Sequence, residues 1–175
     1  MLWAQGDHTG ARTLQEQALA MLRRVLGPEH PHTLSSMNNL AGTLWALGDL
    51  TGARALQEQV LAIVRRVLGP EHPHTLSSMN NLAGTLLAQD DYAGARALHE
   101  QALAVRRRVL GPEHPDTLTS MNNLAGTKYR QGDLRGAAEL FQQAVAGLRR
   151  VLGPNHPHTK QVEASLAVVR QQLGI

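Results

Sequence analysis

A segment of 42 residues decides the fold of this chain. Residues 32–73 read "HTLSSMNNLAGTLWALGDLTGARALQEQVLAIVRRVLGPEHP", and near-copies of the segment occupy residues 74–115 and 116–157. Residues 6–47 differ from residues 48–89 at only seven positions. Repetition at a fixed period is the signature of an architecture in which similar units stack on one another. The fold therefore follows from the structure of one segment.

Each segment contains two amphipathic helix patterns. In the first, over about residues 33–47, one face carries the apolar residues Met37, Leu40, Leu44 and Leu47. The second, over residues 50–68, aligns Leu50, Ala53, Leu56, Val60, Val64 and Val67. Two helices per period, buried against their neighbours, predict an all-α fold of stacked antiparallel helix hairpins.

The ends of the helices are marked by residues that start or stop a helix. Pro31 is tolerated in a first turn, and Asp49 is suited to cap the second helix at its N-terminus. Gly69, followed by Pro70, stands where a helix ends. Short turns therefore separate the two helices of each repeat.

Several of these residues resemble the tetratricopeptide repeat (TPR) pattern: Leu40, Ala41, Leu44, Gly48, Asp49, Leu50, Ala53 and Val60. The 42-residue period, the "NNLA" of the first helix and the "LGPEHP" link are similar to the kinesin light chain type of this repeat. The resemblance implies a right-handed α-solenoid of antiparallel helix hairpins. It also implies that the first helices line a concave groove, which binds peptides or protein segments.

We expect a single array over residues 1–175. It comprises a partial repeat (1–31), three repeats (32–73, 74–115 and 116–157) and a C-terminal capping helix (158–175). The opening "MLWAQGD" matches the end of a first helix, which predicts that the chain begins within a repeat. At the other end, Lys160, Glu163 and Arg170 replace apolar residues of the first-helix pattern, which indicates a solvated capping helix.

Two adjacent asparagines recur in every first helix. On a helical wheel Asn38 points away from the core and Asn39 lies on the flank. The repeats place equivalent residues in two columns, Asn38, Asn80 and Asn122, and Asn39, Asn81 and Asn123. A primary amide both donates and accepts hydrogen bonds, so it can pair with a peptide backbone. The resemblance implies this role, while the alternative is that the amides fix the stacking of repeats.

Other residues of the first helices point to the same side of the helical wheel as Asn38. The column Trp45, Leu87 and Tyr129 offers anchors for ligand side chains, or else packs across the inside of the solenoid. Gly42, Gly84 and Gly126 leave room for a ligand, or else allow close contact between helices. Lys128 replaces a core leucine, so we expect its stem to pack and its ammonium to reach outward. Arg130 makes this end of the groove basic, which favours an acidic or C-terminal carboxylate group.

Composition and pattern disfavour the other classes of function. The chain has no cysteine and no phosphate-binding loop, and its acids, histidines and serines recur with the repeat. We therefore predict a non-enzyme without cofactor or metal, in which His30-Pro31-His32 and its copies are helix starts. Arginine pairs recur near helix ends, as at Arg65-Arg66, and Arg106-Arg107-Arg108 is a similar cluster. We interpret these arginines as solvated helix ends that compensate the helix dipole, and nucleic acid is disfavoured as a partner.

The sequence therefore predicts a scaffold that binds an extended peptide or protein segment. It shows neither a secretory signal nor a membrane-spanning run, so we expect a soluble, cytoplasmic protein. The near-identity of the repeats keeps an alternative open: a structural spacer or a head-to-tail self-association module within a larger signalling protein. These two functions predict different behaviour towards peptides and towards further copies of the chain.

Overall fold

The computed structural model describes residues 8–175, which form eight α-helices and no β-strand. The helices are α1 (His8–Val25), α2 (Pro31–Ala46), α3 (Leu50–Leu68), α4 (Pro73–Ala88), α5 (Tyr92–Leu110), α6 (Pro115–Arg130), α7 (Leu134–Val151) and α8 (Pro157–Leu173). The bounds of α3 are those predicted, and α2 begins two residues earlier than expected. The matched opening "MLWAQGD" lies outside the described residues.

Side chains close the helix ends as the sequence predicts. The carboxylate of Asp49 accepts a hydrogen bond from the backbone N–H of Gly52 at 2.9 Å. His30 caps α2, because its Nδ1 accepts from the backbone N–H of His32 at 3.2 Å. These bonds satisfy donors that a helix N-terminus leaves without intrahelical partners. The reading of the histidines as helix starts is confirmed.

The link between two repeats is held by a hydrogen bond that recurs along the chain. Gly27 adopts φ of 90°, a left-handed conformation that favours glycine, and turns the chain after α1. The hydroxyl of Thr33, in the first turn of α2, donates to the carbonyl of Gly27 at 2.8 Å. The same bond joins Thr75 to Gly69 at 2.7 Å and Thr159 to Gly153 at 2.9 Å. Each of these bonds fixes the start of a first helix against the preceding turn.

The chain divides into two compact units, Met1–Gln89 (unit 1) and Asp90–Ile175 (unit 2). In unit 1 the buried residues of α2, α3 and α4 include Met37, Leu40, Val60, Met79 and Leu82. In unit 2 the core includes Leu118, Met121, Phe141, Leu148 and Val162. Each core is therefore built from the helix faces that the apolar period selects.

Two residues of the predicted core stripes are exposed. Leu47 follows the last residue of α2 and is 39% exposed, and Val67, in the last turn of α3, is 52% exposed. Both lie where a helix ends and has lost the neighbours that cover its centre. The prediction that these two residues are buried is wrong.

A different correction concerns Arg106, which was grouped with the solvated arginines. It is buried, and its Nη1 donates to the hydroxyl of Ser120 at 2.7 Å. Burial lowers the pKa of its guanidinium. Lys128, in contrast, behaves as predicted: it is half-buried and its ammonium reaches Asp133 Oδ2 at 2.8 Å.

The last helix, α8, has one buried and one solvated side. It buries Thr159, Val162, Leu166 and Val169, whereas Lys160 and Arg170 are exposed. Glu163 is half-buried and pairs with Arg149 at 2.6 Å. The expected polar outer face is therefore present. Along residues 8–175, no helix combines the length and the apolar character that crossing a membrane requires.

Candidate functional site

Several of the predicted site residues line a cavity of about 480 Å³ in unit 1. We call it the polar cavity, and it is lined by Asn38, Gly42, Trp45 and Ala46 of α2, Gln57 of α3, and Asn80, Asn81, Gly84 and Thr85 of α4. The lining of the cavity thus comes from two successive first helices, α2 and α4, and from the second helix α3.

Four predicted site residues meet in the polar cavity. Asn38 and Asn80 are half-buried, Asn81 is exposed, and Trp45 is 51% exposed. Two other predicted residues of unit 1 do not line it: Asn39, which is exposed, and Leu87, which is half-buried. The first asparagine of α2 thus faces α4, while both asparagines of α4 line the cavity.

The glycines of the first helices face open space. A Cβ atom added to Gly42, Gly84 or Gly126 would meet no heavy atom within 4 Å outside its own local helix. Close contact between helices is therefore not the reason for these glycines, and that alternative is wrong. Gly42 and Gly84 instead widen the polar cavity, as the ligand-binding interpretation requires.

Two residues of the polar cavity were missed by the sequence analysis. Gln57 is 9% exposed and Thr85 is 1% exposed. Within the described residues, Oε1 of Gln57, Oγ1 of Thr85 and Oδ1 of Asn80 are buried without a hydrogen-bond partner. Such a buried group costs about 1–3 kcal/mol. A signal was present, since Gln57 lies between Ala53 and Val60 on the buried stripe of α3.

A second cavity, of about 420 Å³, adjoins the polar cavity in unit 1. The apolar part of its lining consists of Pro31, Leu34, Val60, Val64, Val67 and Leu68. Asn38 and Asn81 line both cavities, so the two are neighbours that share these side chains. We call this second space the apolar cavity and the two together the unit 1 groove. The exposure of Val67 is explained, because this side chain lines the apolar cavity.

The remaining predicted residues lie in unit 2. Asn122 and Asn123 are half-buried. The hydroxyl oxygen of Tyr129 accepts a hydrogen bond from Nε2 of Gln172 at 2.9 Å, so the ring is tied to α8. Arg130 is exposed and interacts with the hydroxyl of Tyr92, whose pKa is raised by its hydrogen bond to Asp90.

The polar lining of the unit 1 groove is replaced by other residues in unit 2. Eighty-four residues after Gln57, Asn80 and Thr85 stand Phe141, Ala164 and Val169. Phe141 and Val169 are buried in the core of unit 2. Helices α7 and α8 therefore lack the oxygen atoms that are unpaired in α3 and α4, while in α6 the hydroxyl of Thr117 is buried without a partner within the described residues.

A polar pair of unit 2, His99 and Thr127, occupies the positions of Gln57 and Thr85 one repeat later. Nδ1 of His99 lies 2.8 Å from Oγ1 of Thr127, and the hydroxyl of Thr127 donates to the carbonyl of Asn123 at 3.1 Å. Burial lowers the pKa of His99 to about 4, so the ring is neutral at pH 7. Here the buried polar groups satisfy one another.

Several exposed arginines at the helix ends are paired. Ion pairs join Arg66 to Glu29 and Arg150 to Glu113. In addition, Arg23 donates to Gln59 at 3.2 Å. Such pairing reduces the charge that a phosphate backbone could contact. In the described part of the chain, no three His, Asp or Glu side chains are grouped so that they could hold a metal ion.

The fold is shared with solved structures. Two crystal structures of a Podosopora anserina protein, described as a kinesin light chain with nearly identical TPR-like repeats, match with TM-scores of 0.88 and 0.86. Each is 34% identical in sequence to this chain, and each match covers 99% of this chain and 82% of the other chain.

Two more distant structures show the fold alone. BtubC (BKLC) from P. vanneervenii has a TM-score of 0.84 at 22% identity, with 99% of this chain and 69% of that chain covered. A Rap protein, complexed with competence and sporulation factor, has a TM-score of 0.74 at 17% identity, with 99% and 46% covered. No curated protein matches the chain significantly.

The family model described as the tetratricopeptide repeat matches residues 1–63, 33–107 and 78–150. These matches extend over most of the chain, and they agree with the all-α solenoid fold of the solved relatives and with their kinesin-light-chain-like repeats. The chain therefore belongs to the tetratricopeptide repeat family.

Proposed function

We propose that this chain is a non-catalytic scaffold that binds an extended peptide or protein segment between its first helices. TPR proteins generally bind protein or peptide partners. The observation that carries the proposal is the polar cavity, where Asn38, Asn80, Asn81 and Trp45 surround an open space of about 480 Å³. Amides there can pair with a peptide backbone, and the indole offers an apolar contact surface.

The other predicted site residues complete the proposal. Asn39 and Leu87 lie on the same helices as this cavity, and Asn122, Asn123, Tyr129 and Arg130 are their repeat equivalents in unit 2. We assign backbone contacts to the asparagines and side-chain contacts to Trp45, Leu87 and Tyr129. Because the repeats are already folded, binding costs little ordering entropy, and a few contacts are enough for moderate affinity.

The test is a selection from a displayed library of random peptides on the full chain. The chain should enrich a motif, and the double variant Asn38→Ala, Asn80→Ala should bind the enriched peptide at least about tenfold more weakly. Asn155→Ala, in the turn before α8, is the matched control and should change nothing. Enrichment that is equal for chain and double variant would refute the assignment.

Light scattering against concentration tests the alternative function. A constant monomer mass, together with peptide enrichment, supports the scaffold. A mass that rises with concentration, without peptide enrichment, would instead favour head-to-tail self-association or a spacer role.

A further inference from the structure

We infer that the unit 1 groove selects an uncharged, extended peptide segment carrying an aliphatic side chain. Its backbone N–H groups donate to Gln57, Asn80 and Thr85, and its aliphatic side chain enters the apolar cavity beside Val64. The inference rests on the proposed function and adds the chemistry of the ligand, together with two contact residues, Gln57 and Thr85, that are not among the site residues predicted from the sequence.

Three oxygen atoms of the polar cavity's lining residues lack hydrogen-bond donors. Oε1 of Gln57, Oδ1 of Asn80 and Oγ1 of Thr85 are buried without partners within the described residues, and all three residues line one cavity. Amide oxygens only accept hydrogen bonds, and a hydroxyl oxygen can accept as well as donate. An extended peptide presents backbone N–H groups at regular intervals along its edges. The three atoms are closed to solvent in the free chain, so each side chain must turn towards the cavity before a peptide N–H can supply the donor that it lacks.

The groove offers almost no charge to a ligand. Among the described residues, no Asp, Glu, Lys or Arg lines the polar cavity, and Glu29 is the only such residue that lines the apolar cavity. The carboxylate of Glu29 is already paired with Arg66. A charged ligand side chain would lose its hydration here without finding an opposite charge, which is unfavourable. An uncharged ligand fits the groove.

The two cavities are neighbours. Asn38 and Asn81 line both, so a peptide segment that passes these two side chains extends from the polar cavity to the apolar cavity. There Leu34, Val60, Val64, Val67 and Leu68 form the wall, and Val67 is 52% exposed in the free chain. Val60 and Val64 are already buried, so an aliphatic side chain removes from water the apolar surface that Val67 and Leu68 expose.

Unit 2 shows why the inference is confined to unit 1. The positions of Gln57, Asn80 and Thr85 are taken there by Phe141, Ala164 and Val169, none of which has a side-chain acceptor. One repeat after Gln57 and Thr85, His99 and Thr127 satisfy each other at 2.8 Å. The unpaired acceptors of the groove therefore belong to unit 1.

The experiment is an NMR titration of the full chain with three blocked tripeptides at up to about 10 mM. The first is acetyl-Ala-Leu-Ala N-methylamide, the second has Asp in place of Leu, and the third is the leucine peptide with every backbone nitrogen methylated. The side-chain amide signals of Gln57 and Asn80 report on binding. We expect the leucine peptide to bind at least about fivefold more tightly than either analogue.

A pair of variants tests the acceptor itself. Gln57→His copies the pair that His99 forms with Thr127, so it should lower affinity for the leucine peptide about fivefold or more. Gln59→His, on the exposed face of α3, is the matched control and should leave the affinity unchanged. The comparison of the three peptides needs no variant, so it decides the inference even if Gln57→His fails to fold.

Three results would overturn the inference: equal binding of the leucine and aspartate peptides, equal binding after N-methylation, or no shift of the groove signals at the highest concentration. The library selection remains an independent measure of the proposed function. A selection that succeeds and depends on Asn38 and Asn80, combined with any of these three results, would leave the scaffold function in place and remove only the ligand chemistry.

Discussion

Nδ1 of His99 lies 2.8 Å from Oγ1 of Thr127, so a buried ring and a buried hydroxyl satisfy each other. Gln57 and Thr85 occupy the same two positions one repeat earlier, yet each has a buried oxygen without a partner in the described chain. Repeats with almost the same sequence therefore differ in whether their buried polar groups are satisfied internally. The unsatisfied pair lies in the cavity that we assign to ligand binding.

The first prediction concerns Thr85→Val. The substitution removes a buried hydroxyl that has no partner, so it should raise the free energy of unfolding by about 1 kcal/mol while it weakens peptide binding. Thr33→Val is the control: the hydroxyl of Thr33 donates to Gly27, and its loss should cost about 1 kcal/mol. Urea unfolding measures both changes, and destabilisation of similar size in the two variants would contradict the prediction.

The second prediction concerns two glycines of unit 1. Gly42→Ala should raise stability by up to about 1 kcal/mol, because alanine favours the helix and its Cβ meets open space. The methyl group also narrows the polar cavity and should weaken binding of a selected peptide. Gly52→Ala should instead lower stability, because its Cβ would lie 2.8 Å from Asp49 Oδ2, in the cap of α3. Thermal unfolding gives the two signs, and a fall in stability for Gly42→Ala would show that its surroundings are not open.

The third prediction is a pH dependence that arises from His99. Burial lowers its pKa in the folded state from 6.5 to about 4, so acid favours the unfolded chain, which binds the proton more readily. The contribution of His99 is complete above pH 6.5 and is lost as the pH falls towards 4, by up to about 3 kcal/mol. Unfolding free energies of the parent and of His99→Gln should converge over this range. Parallel curves would disprove the assignment.

The fourth prediction compares two helix caps. Asp49 and Asp133 both accept from a backbone N–H at 2.9 Å. The ammonium of Lys128 lies 2.8 Å from Asp133, whereas the guanidinium of Arg12 lies 3.9 Å from Asp49. Asp133→Ala should therefore lower the unfolding free energy by about 2 kcal/mol, against about 1 kcal/mol for Asp49→Ala.

The fourth prediction also includes a dependence of stability on pH in acid. The bonds from Lys128 and from the N–H of Gly136 hold the pKa of Asp133 below its usual value. Its contribution is therefore complete at neutral pH and is lost as the carboxylate becomes protonated in strong acid. Chemical unfolding of Asp49→Ala and Asp133→Ala at neutral pH and in acid measures both effects. A cost for Asp133→Ala at neutral pH no larger than that for Asp49→Ala would show that the Lys128 contact adds nothing.

The sequence predicts the helices well because their ends depend on local chemistry. Pro31, Asp49 and Gly69 act through bonds and backbone angles within a few residues of themselves. Burial at a helix end depends on more distant neighbours, and so Val67 was assigned wrongly to the core. The helical wheel also placed Asn38 and Trp45 on the side where the polar cavity lies.

The rest of the candidate site depends on pairing, which a periodic pattern does not contain. Gln57 and Thr85 stand on buried stripes, where a wheel treats every residue as part of the core. Whether such a residue is satisfied depends on the atoms that face it from another helix. His99 stands where Gln57 stands one repeat earlier, and it has a hydrogen-bond partner whereas Oε1 of Gln57 has none, although the pattern of the repeat is the same.

The bond from the hydroxyl of Thr33 to the carbonyl of Gly27 has a genetic consequence. It is encoded within one short stretch of the gene, and the same stretch recurs around Thr75 and Thr159. Unequal crossing-over between two such stretches would place the same threonine and glycine at the new junction, and so would regenerate this hydrogen bond. A 42-residue copy gained or lost between the stretches around Thr33 and Thr75 would therefore keep a bonded helix start, whereas α6 begins without this bond, because the hydroxyl of Thr117 is buried without a partner in the described chain.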